Sequence, residues 1–368
     1  MSILRARDLA VGARLDGAVV PVIRTLSFDL GPGKILGLVG ESGAGKSMIG
    51  RAIAQLLPPG FAITAGTLSF ENQDLLRMAP AHRRALLGRA IAFIPQAPLT
   101  ALNPVMTIGR QFDEHLVRVD LLSRTKRHEK AVAMLAAAQL PQASEVLTKY
   151  PHQLSGGMCQ RVLIAMAFAS NPRLVIADEP TTALDATLHP QIVRLIADMQ
   201  KENGTAVIFI THDLRLAAHV CDDVIVMYAG RAVEHGPARS VLAVPSHPYT
   251  RCLQLANPSM TERRALYVIP QQMPSLRELR RISGCHFAPR CPVAVEECRR
   301  ADPPDVVVGT DHVSACFRTE ATRRIVTARS TIPGATAAER PLLQVDDLAK
   351  LYAGERWFGD TRSIAAVI

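Results

Sequence analysis

Along residues 1–240 short, wholly apolar runs alternate with helical patterns. Ile35–Val39 precedes a glycine-rich stretch, 174–177 (Leu-Val-Ile-Ala) precedes an acidic pair, and 206–210 (Ala-Val-Ile-Phe-Ile) precedes Thr211 and His212. Runs of this length, bounded by turn residues and separated by helical stretches, predict buried parallel strands of an α/β core. Residues 48–57, after the glycines, predict a helix. The pattern then changes. Residues 245–318 are rich in Pro and Cys and poor in long periodic segments, and 319–341 are small, polar and charged, which predicts a linker. Residues 342–368 regain a strand-like pattern.

No apolar run approaches the roughly 18–20 residues of a membrane helix. The first nine residues carry Arg5, Arg7 and Asp8 and have no apolar signal core. The expectation is a cytoplasmic chain that reaches a membrane only through a partner.

Composition narrows this only a little. With 368 residues, 48% of them hydrophobic, the chain can bury a core larger than one average domain. The formal charge of +9 suits an anionic partner, whether nucleotide, lipid headgroup or nucleic acid. The basic residues are scattered in short pairs such as Arg83 with Arg84 and Arg263 with Arg264, without interleaved aromatics, which argues against nucleic acid. Seven cysteines in a chain read as cytosolic do not argue for disulfides.

The chemistry is carried at the ends of the predicted strands, where ligands bind in such sheets. Gly40, Glu41, Ser42, Gly43, Ala44, Gly45, Lys46 and Ser47 fit the phosphate-binding pattern G-x-x-x-x-G-K-[ST]. The glycines let backbone N–H groups turn toward phosphate, Lys46 reaches the β/γ oxygens, and the Ser47 hydroxyl ligates Mg²⁺. Asp178 is placed to hold Mg²⁺ through water, and Glu179 to orient and deprotonate an attacking water. ATP and Mg²⁺ are the expected ligands.

A second cradle follows. Leu154, Ser155, Gly156, Gly157 and Met158 precede a helix, and this stretch resembles the signature motif of ABC ATPases. Gln96, the run Ala183, Leu184 and Asp185, and His212 stand in the order of that family's Q-loop, D-loop and switch histidine. The resemblance implies a P-loop NTPase of ABC ATPase type over 1–240, with a helical subdomain at about 97–155 that grips a membrane partner. It implies that the signature loop of one subunit closes on ATP held by another, that Gln96 contacts Mg²⁺ and water, and that His212 contacts the γ-phosphate.

Finer features resemble the ATP-binding subunits of oligopeptide and dipeptide importers, including relatives for nickel. These are Ile94 to Pro98, Leu102 to Gly109, His247 to Thr250, and the segment opening at Gly284 and Cys285. The resemblance runs from about residue 3 to 318 and implies a small Cys-rich C-terminal extension at 245–318. The implied partners are a second ABC ATPase subunit (a paralogue, giving a heterodimer), two integral membrane permease subunits and an extracytoplasmic solute-binding protein. The implied place is the cytoplasmic face of the inner membrane. Rival readings are a repair or translation ATPase of the same superfamily, disfavoured by the absence of a long coiled-coil insertion, and a non-hydrolysing regulator, disfavoured by Glu179, Gln96 and His212. Ala13 departs from the family's adenine-stacking aromatic, leaving Val20, Val22 or Ile23 to pack the base.

Two expectations concern the C-terminal third. Cys285, Cys291, Cys298 and Cys316, spaced C-x5-C-x6-C-x17-C, are expected to bind a [4Fe–4S] cluster, or tetrahedral Zn²⁺. Members of the resembled family carry the same cysteines. Residues 342–349 line up with 3–10: Leu343, Asp347, Leu348 and Ala349 match Leu4, Asp8, Leu9 and Ala10. Tyr352 then falls near the adenine-stacking position, and 342–368 is expected to be the start of a second ATPase domain.

Overall fold

Strands β1 (Leu4–Leu15), β2 (Ala18–Leu30), β4 (Phe61–Phe70) and β5 (Gln73–Asp74) form the antiparallel part of a large mixed sheet. Strands β3 (Ile35–Val39), β6 (Ile91–Ile94), β7 (Leu174–Asp178), β8 (Ala206–Thr211) and β9 (Asp223–Tyr228) form the parallel part, in the order β9-β3-β8-β7-β6. Strand β10 (Arg231–Pro237) joins the parts, antiparallel to β9 and parallel to β2. Strands β11 (Asp305–Gly309) and β12 (His312–Ala315) extend the sheet from β10. In this computed structural model residues 2–15, 17–182, 184–258, 265–326, 349–352 and 364–367 are described.

The parallel strands are apolar throughout because both faces are covered. Val175, Ala177, Val207 and Phe209 face helices Ile108–Val119, Gly156–Phe168 and His189–Asn203. Leu174, Ile176, Ile208 and Ile210 face the opposite cluster, with Ile49 and Ile53 of helix Lys46–Ile53 and Leu4, Leu9 and Leu26 of the antiparallel part. Strand β2, covered on one face, instead alternates buried Ile23, Leu26, Phe28 and Leu30 with exposed positions.

The helix expected over 48–57 begins earlier and stops at Ile53, and Gln55 has a left-handed φ of 56°. Residues 97–155 carry helices and no strand. Residues 266–326 belong with the core: Met1–Ser259 and Leu266–Thr327 form one compact unit. The second unit comprises Met260–Ala265 and Ala328–Ile368. Within it, strands β13 (Ala349–Tyr352) and β14 (Ile364–Val367) pair antiparallel. The matched stretch 342–348 and most of the expected linker lie outside the described residues.

Candidate functional site

Three parallel strands deliver the polar residues to one edge. The registers Val39↔Thr211 and Asp178↔Ile210 bring the ends of β3, β7 and β8 level. Beyond β3 the chain turns through Gly40 to Ser47 and enters helix Lys46–Ile53. Two glycines are obligatory there. Gly40 (φ 148°) would place a Cβ 2.4 Å from the Met227 carbonyl oxygen, and Gly45 (φ 101°) would place one 2.6 Å from Ile23 Cδ1.

The predicted catalytic residues converge on Glu179. Its carboxylate accepts from Gln96 Nε2 at 3.1 Å and from Thr182 Oγ1 at 2.8 Å. His212 Nδ1 lies 3.4 Å away and Lys46 Nζ 3.7 Å away. Glu179 holds a left-handed φ of 45°, a strained conformation for a non-glycine residue that turns the chain sharply after β7. Beside it the Ser47 hydroxyl donates to Asp178 Oδ1 at 2.7 Å. Lys46 is 4% exposed and donates to the carbonyls of Gly40 (2.8 Å) and Glu41 (3.0 Å), inside the loop it closes.

The electrostatics follow from these contacts. The hydrogen bond from His212, against the opposing effect of burial, holds Glu179 down to about 2, and the same bond raises His212. Burial lowers Lys46, with Glu179 and Asp178 opposing the shift. Burial raises Asp178, with the Ser47 bond opposing it. The site is a compact set of opposed charges.

The signature stretch stands apart from this set. Ser155 is the N-cap of helix Gly156–Phe168 and accepts from Met158 N, leaving its own surface exposed. Asp185 is exposed. Among the described residues neither makes a hydrogen bond or ion pair with Lys46, Ser47, Asp178, Glu179 or His212. Ala183 lies outside the described residues. His189 and Pro190 open helix His189–Asn203, where a proline in the first turn costs no hydrogen bond. At the expected adenine position Ala13 is buried and paired with Val20 and Phe61, while Val20 and Ile23 are buried in the protein itself, so Val22 alone of the three is partly open.

The hard oxygens of Ser47 and Asp178 suit Mg²⁺, which takes few protein ligands and completes its shell with water and phosphate. The cysteines give a different result. Cys285, Cys291, Cys298 and Cys316 line one small cavity of about 10 Å³. Burial pushes Cys285 up, Cys291 to about 12 and Cys316 to about 11. All four are free thiols, and among the described residues no three His, Cys, Asp or Glu side chains gather closely enough to hold a metal ion. The expected [4Fe–4S] or Zn²⁺ site is therefore not supported: the thiols share a cavity without the spacing of a ligand shell.

Thr182, which bonds Glu179, was not among the expected site residues. Neither were Tyr249 and Arg290, which bond Glu41 inside the loop. Thr182 stands three residues after Glu179, a local signal that could have marked it; nothing in the spacing of the other two pairs them with Glu41.

The ABC transporter family pattern matches residues 23–182, and that of the oligopeptide/dipeptide transporter C-terminal region matches 233–298. A probable peptide ABC transporter ATP-binding protein of Sinorhizobium fredii is 44% identical over 86% of this chain and 95% of its own length. The oligopeptide transport ATP-binding protein OppD of Salmonella typhimurium is 42% identical over 86% of this chain and 93% of its own. The dipeptide transport ATP-binding protein DppD of Escherichia coli is 39% identical over 86% and 96%. Among solved structures, a dimeric post-hydrolysis ATP-binding cassette bound to ADP and Pi is similar at a TM-score of 0.58, with 25% identity over 64% of this chain and 99% of that one. Both patterns, these identities and the strand-end site point the same way: the chain belongs to the oligopeptide/dipeptide ABC transporter family, as an ATP-binding, ATP-hydrolysing subunit.

Proposed function

We propose that the chain couples ATP hydrolysis to peptide uptake as one half of a two-subunit nucleotide sandwich. Residues 40–47 cradle the phosphates, and Ser47, Asp178 and Gln96 hold Mg²⁺, which neutralises phosphate charge when bound. Glu179 orients and deprotonates the attacking water, and His212 contacts the γ-phosphate. The observation that carries the reading is the convergence of Gln96, His212, Lys46 and Thr182 on Glu179, beside the Ser47–Asp178 pair.

Ser155, Gly156, Gly157 and Asp185 serve the nucleotide of a partner ATPase subunit, a paralogue. The exposure of Ser155 and Asp185, apart from the chain's own phosphate loop, supports this. The helical stretch 97–155 docks a membrane partner, one of two permease subunits that a solute-binding protein supplies. Leu99, Val105, Val117 and Leu121, all in or beside it and all exposed, support a partner there. Among the described residues no helix is long and apolar enough to cross a membrane, which agrees with attachment to the inner membrane's cytoplasmic face through those subunits. The names of the relatives support peptide as the solute.

The Cys-rich segment is an extension built for a cofactor, supported by four thiols lining one cavity; binding requires them to lose their protons and close together. Iron, sulfide and zinc analysis of anaerobically purified protein tests it, and protein free of all three rejects it. Residues 342–368 are the start of a second ATPase domain that repeats the opening of the core, supported by the four identities and by the antiparallel β13–β14 pair. Strong hydrogen-exchange protection of β13 by contacts with residues 1–318 would count against that repeat.

The central test is Glu179→Gln. It is expected to abolish turnover and leave ATP binding intact, because the phosphate cradle is untouched. Hydrolysis within a few-fold of wild type would remove Glu179 from the role of base.

A further inference from the structure

Glu41 lies inside the phosphate loop, and two residues from beyond position 240 hold it. The Tyr249 hydroxyl oxygen accepts the Glu41 N–H at 2.8 Å. Arg290, only 2% exposed, approaches the Glu41 carboxylate fork on fork: Nη1 donates to Oε2 at 2.8 Å and Nη2 to Oε1 at 3.0 Å. Its Nε donates to the Pro270 carbonyl at 2.8 Å, Nη2 donates also to that of Gln271 at 3.1 Å, and its guanidinium stands 5.7 Å above the Tyr228 ring. A buried guanidinium with its donors engaged in this way is a fixed group, and a bidentate pair is directional as well as strong.

The position of the pair gives it a consequence. Lys46, the loop's own cation, donates to the Glu41 carbonyl, so Glu41 belongs to the cradle in which a triphosphate sits. An uncompensated carboxylate there repels phosphate. The opposing charge comes from Arg290, in the stretch between Cys285 and Cys291.

We propose that Arg290 is a positioning residue for ATP: it cancels the negative charge of Glu41 and fixes the phosphate loop in its anion-binding form, tying the C-terminal segment to nucleotide affinity. The proposal rests on reading residues 40–47 as the nucleotide cradle.

The test is the dissociation constant of Mg-ATP for the full chain, measured by calorimetry on wild type, R290M, R290M/E41Q and K46A. R290M is expected to weaken binding by about tenfold or more, the scale of coupling between a ligand and a group that does not touch it. The loss shrinks at high salt, since its origin is like-charge repulsion. R290M/E41Q is expected to recover to within about threefold of wild type, the scatter of such measurements, which loss of packing alone would not allow. Binding by R290M equal to wild type, or a loss that E41Q does not rescue, overturns the proposal while K46A still abolishes binding. Full binding by K46A overturns the underlying reading of the cradle instead. If R290M does not fold, R290Q replaces it, with the same loss and the same rescue required.

Discussion

A general base works best with a pKa near the working pH, yet Glu179 is held at about 2 by its bond to His212. Paired in this way, the proposed base is a weak one. A γ-phosphate competing for His212 and Lys46 removes the groups that depress it. The His212–Glu179 contact also predicts a pH signature. His212 is raised, so its contribution to stability is full below its unfolded pKa of about 6.5 and is lost as pH rises through the higher folded value. Glu179 is lowered, so its contribution is present above its unfolded pKa of about 4.3 and is lost toward about 2. The difference in Tm between wild type and His212→Asn is thus expected to be largest between about pH 4.5 and 6.5 and to fade as pH rises through the raised folded value of His212. A difference that grows with alkaline pH would contradict the pairing. At Gly45, the left-handed φ and the approach of Ile23 predict that Gly45→Ala destabilises the fold by about 1–3 kcal/mol in urea denaturation. A stability equal to wild type would show that the loop relaxes freely.

At the scale of elements, the joint between β10 and the C-terminal segment is made by one carboxylate. Glu234, fully buried in β10, accepts from Ser246 N at 2.6 Å and His247 N at 3.1 Å, and its Oε1 lies 2.8 Å from His312 Nε2 in β12. It ties a core strand, the start of helix Pro248–Ala256 and the extending hairpin. Glu234→Ala strips the partner from two buried N–H groups and a buried histidine, and is expected to cost about 3–5 kcal/mol by urea denaturation. A loss below about 1 kcal/mol, the range of an exposed pair, would show that water replaces the carboxylate. The elements differ in how plainly the chain announces them. Strands β3, β7 and β8 are covered on both faces, so unbroken apolar runs mark them and their ends locate Lys46, Asp178 and His212. Strands β1 and β2 are joined by a two-residue turn, whereas β4 pairs with β1 from about 45 residues further on, and both pairings carry register shifts, as between Ala6 and Leu9 and between Arg7 and Ala10, where the alternation is broken. Local pattern alone does not pair them, nor does it disclose that Arg290 meets Glu41, 249 positions away. The cysteine spacing is a related case: the four thiols do line one cavity, but spacing in sequence does not set their distances from one another.

For the whole molecule, the question is which chain each half of the site serves. Lys46, Ser47, Asp178, Glu179 and His212 form one connected set, whereas Ser155 faces outward and, among the described residues, bonds none of them. If Ser155 serves a partner's nucleotide, Ser155→Arg should leave Mg-ATP binding by the lone chain within about threefold of wild type. It should nevertheless abolish ATPase activity in the assembled transporter, where the added side chain blocks closure over the other subunit's γ-phosphate. The same substitution removes the N-cap of helix Gly156–Phe168 and should lower stability by about 1 kcal/mol. Ser155→Ala loses that cap without adding bulk, so comparing the two variants separates the cap from the interface. Both should melt alike, and Ser155→Arg alone should lose all turnover in the complex. If Ser155→Arg weakens ATP binding by the lone chain as severely as Lys46→Ala does, the signature loop acts on the chain's own nucleotide, and the sandwich is the wrong arrangement.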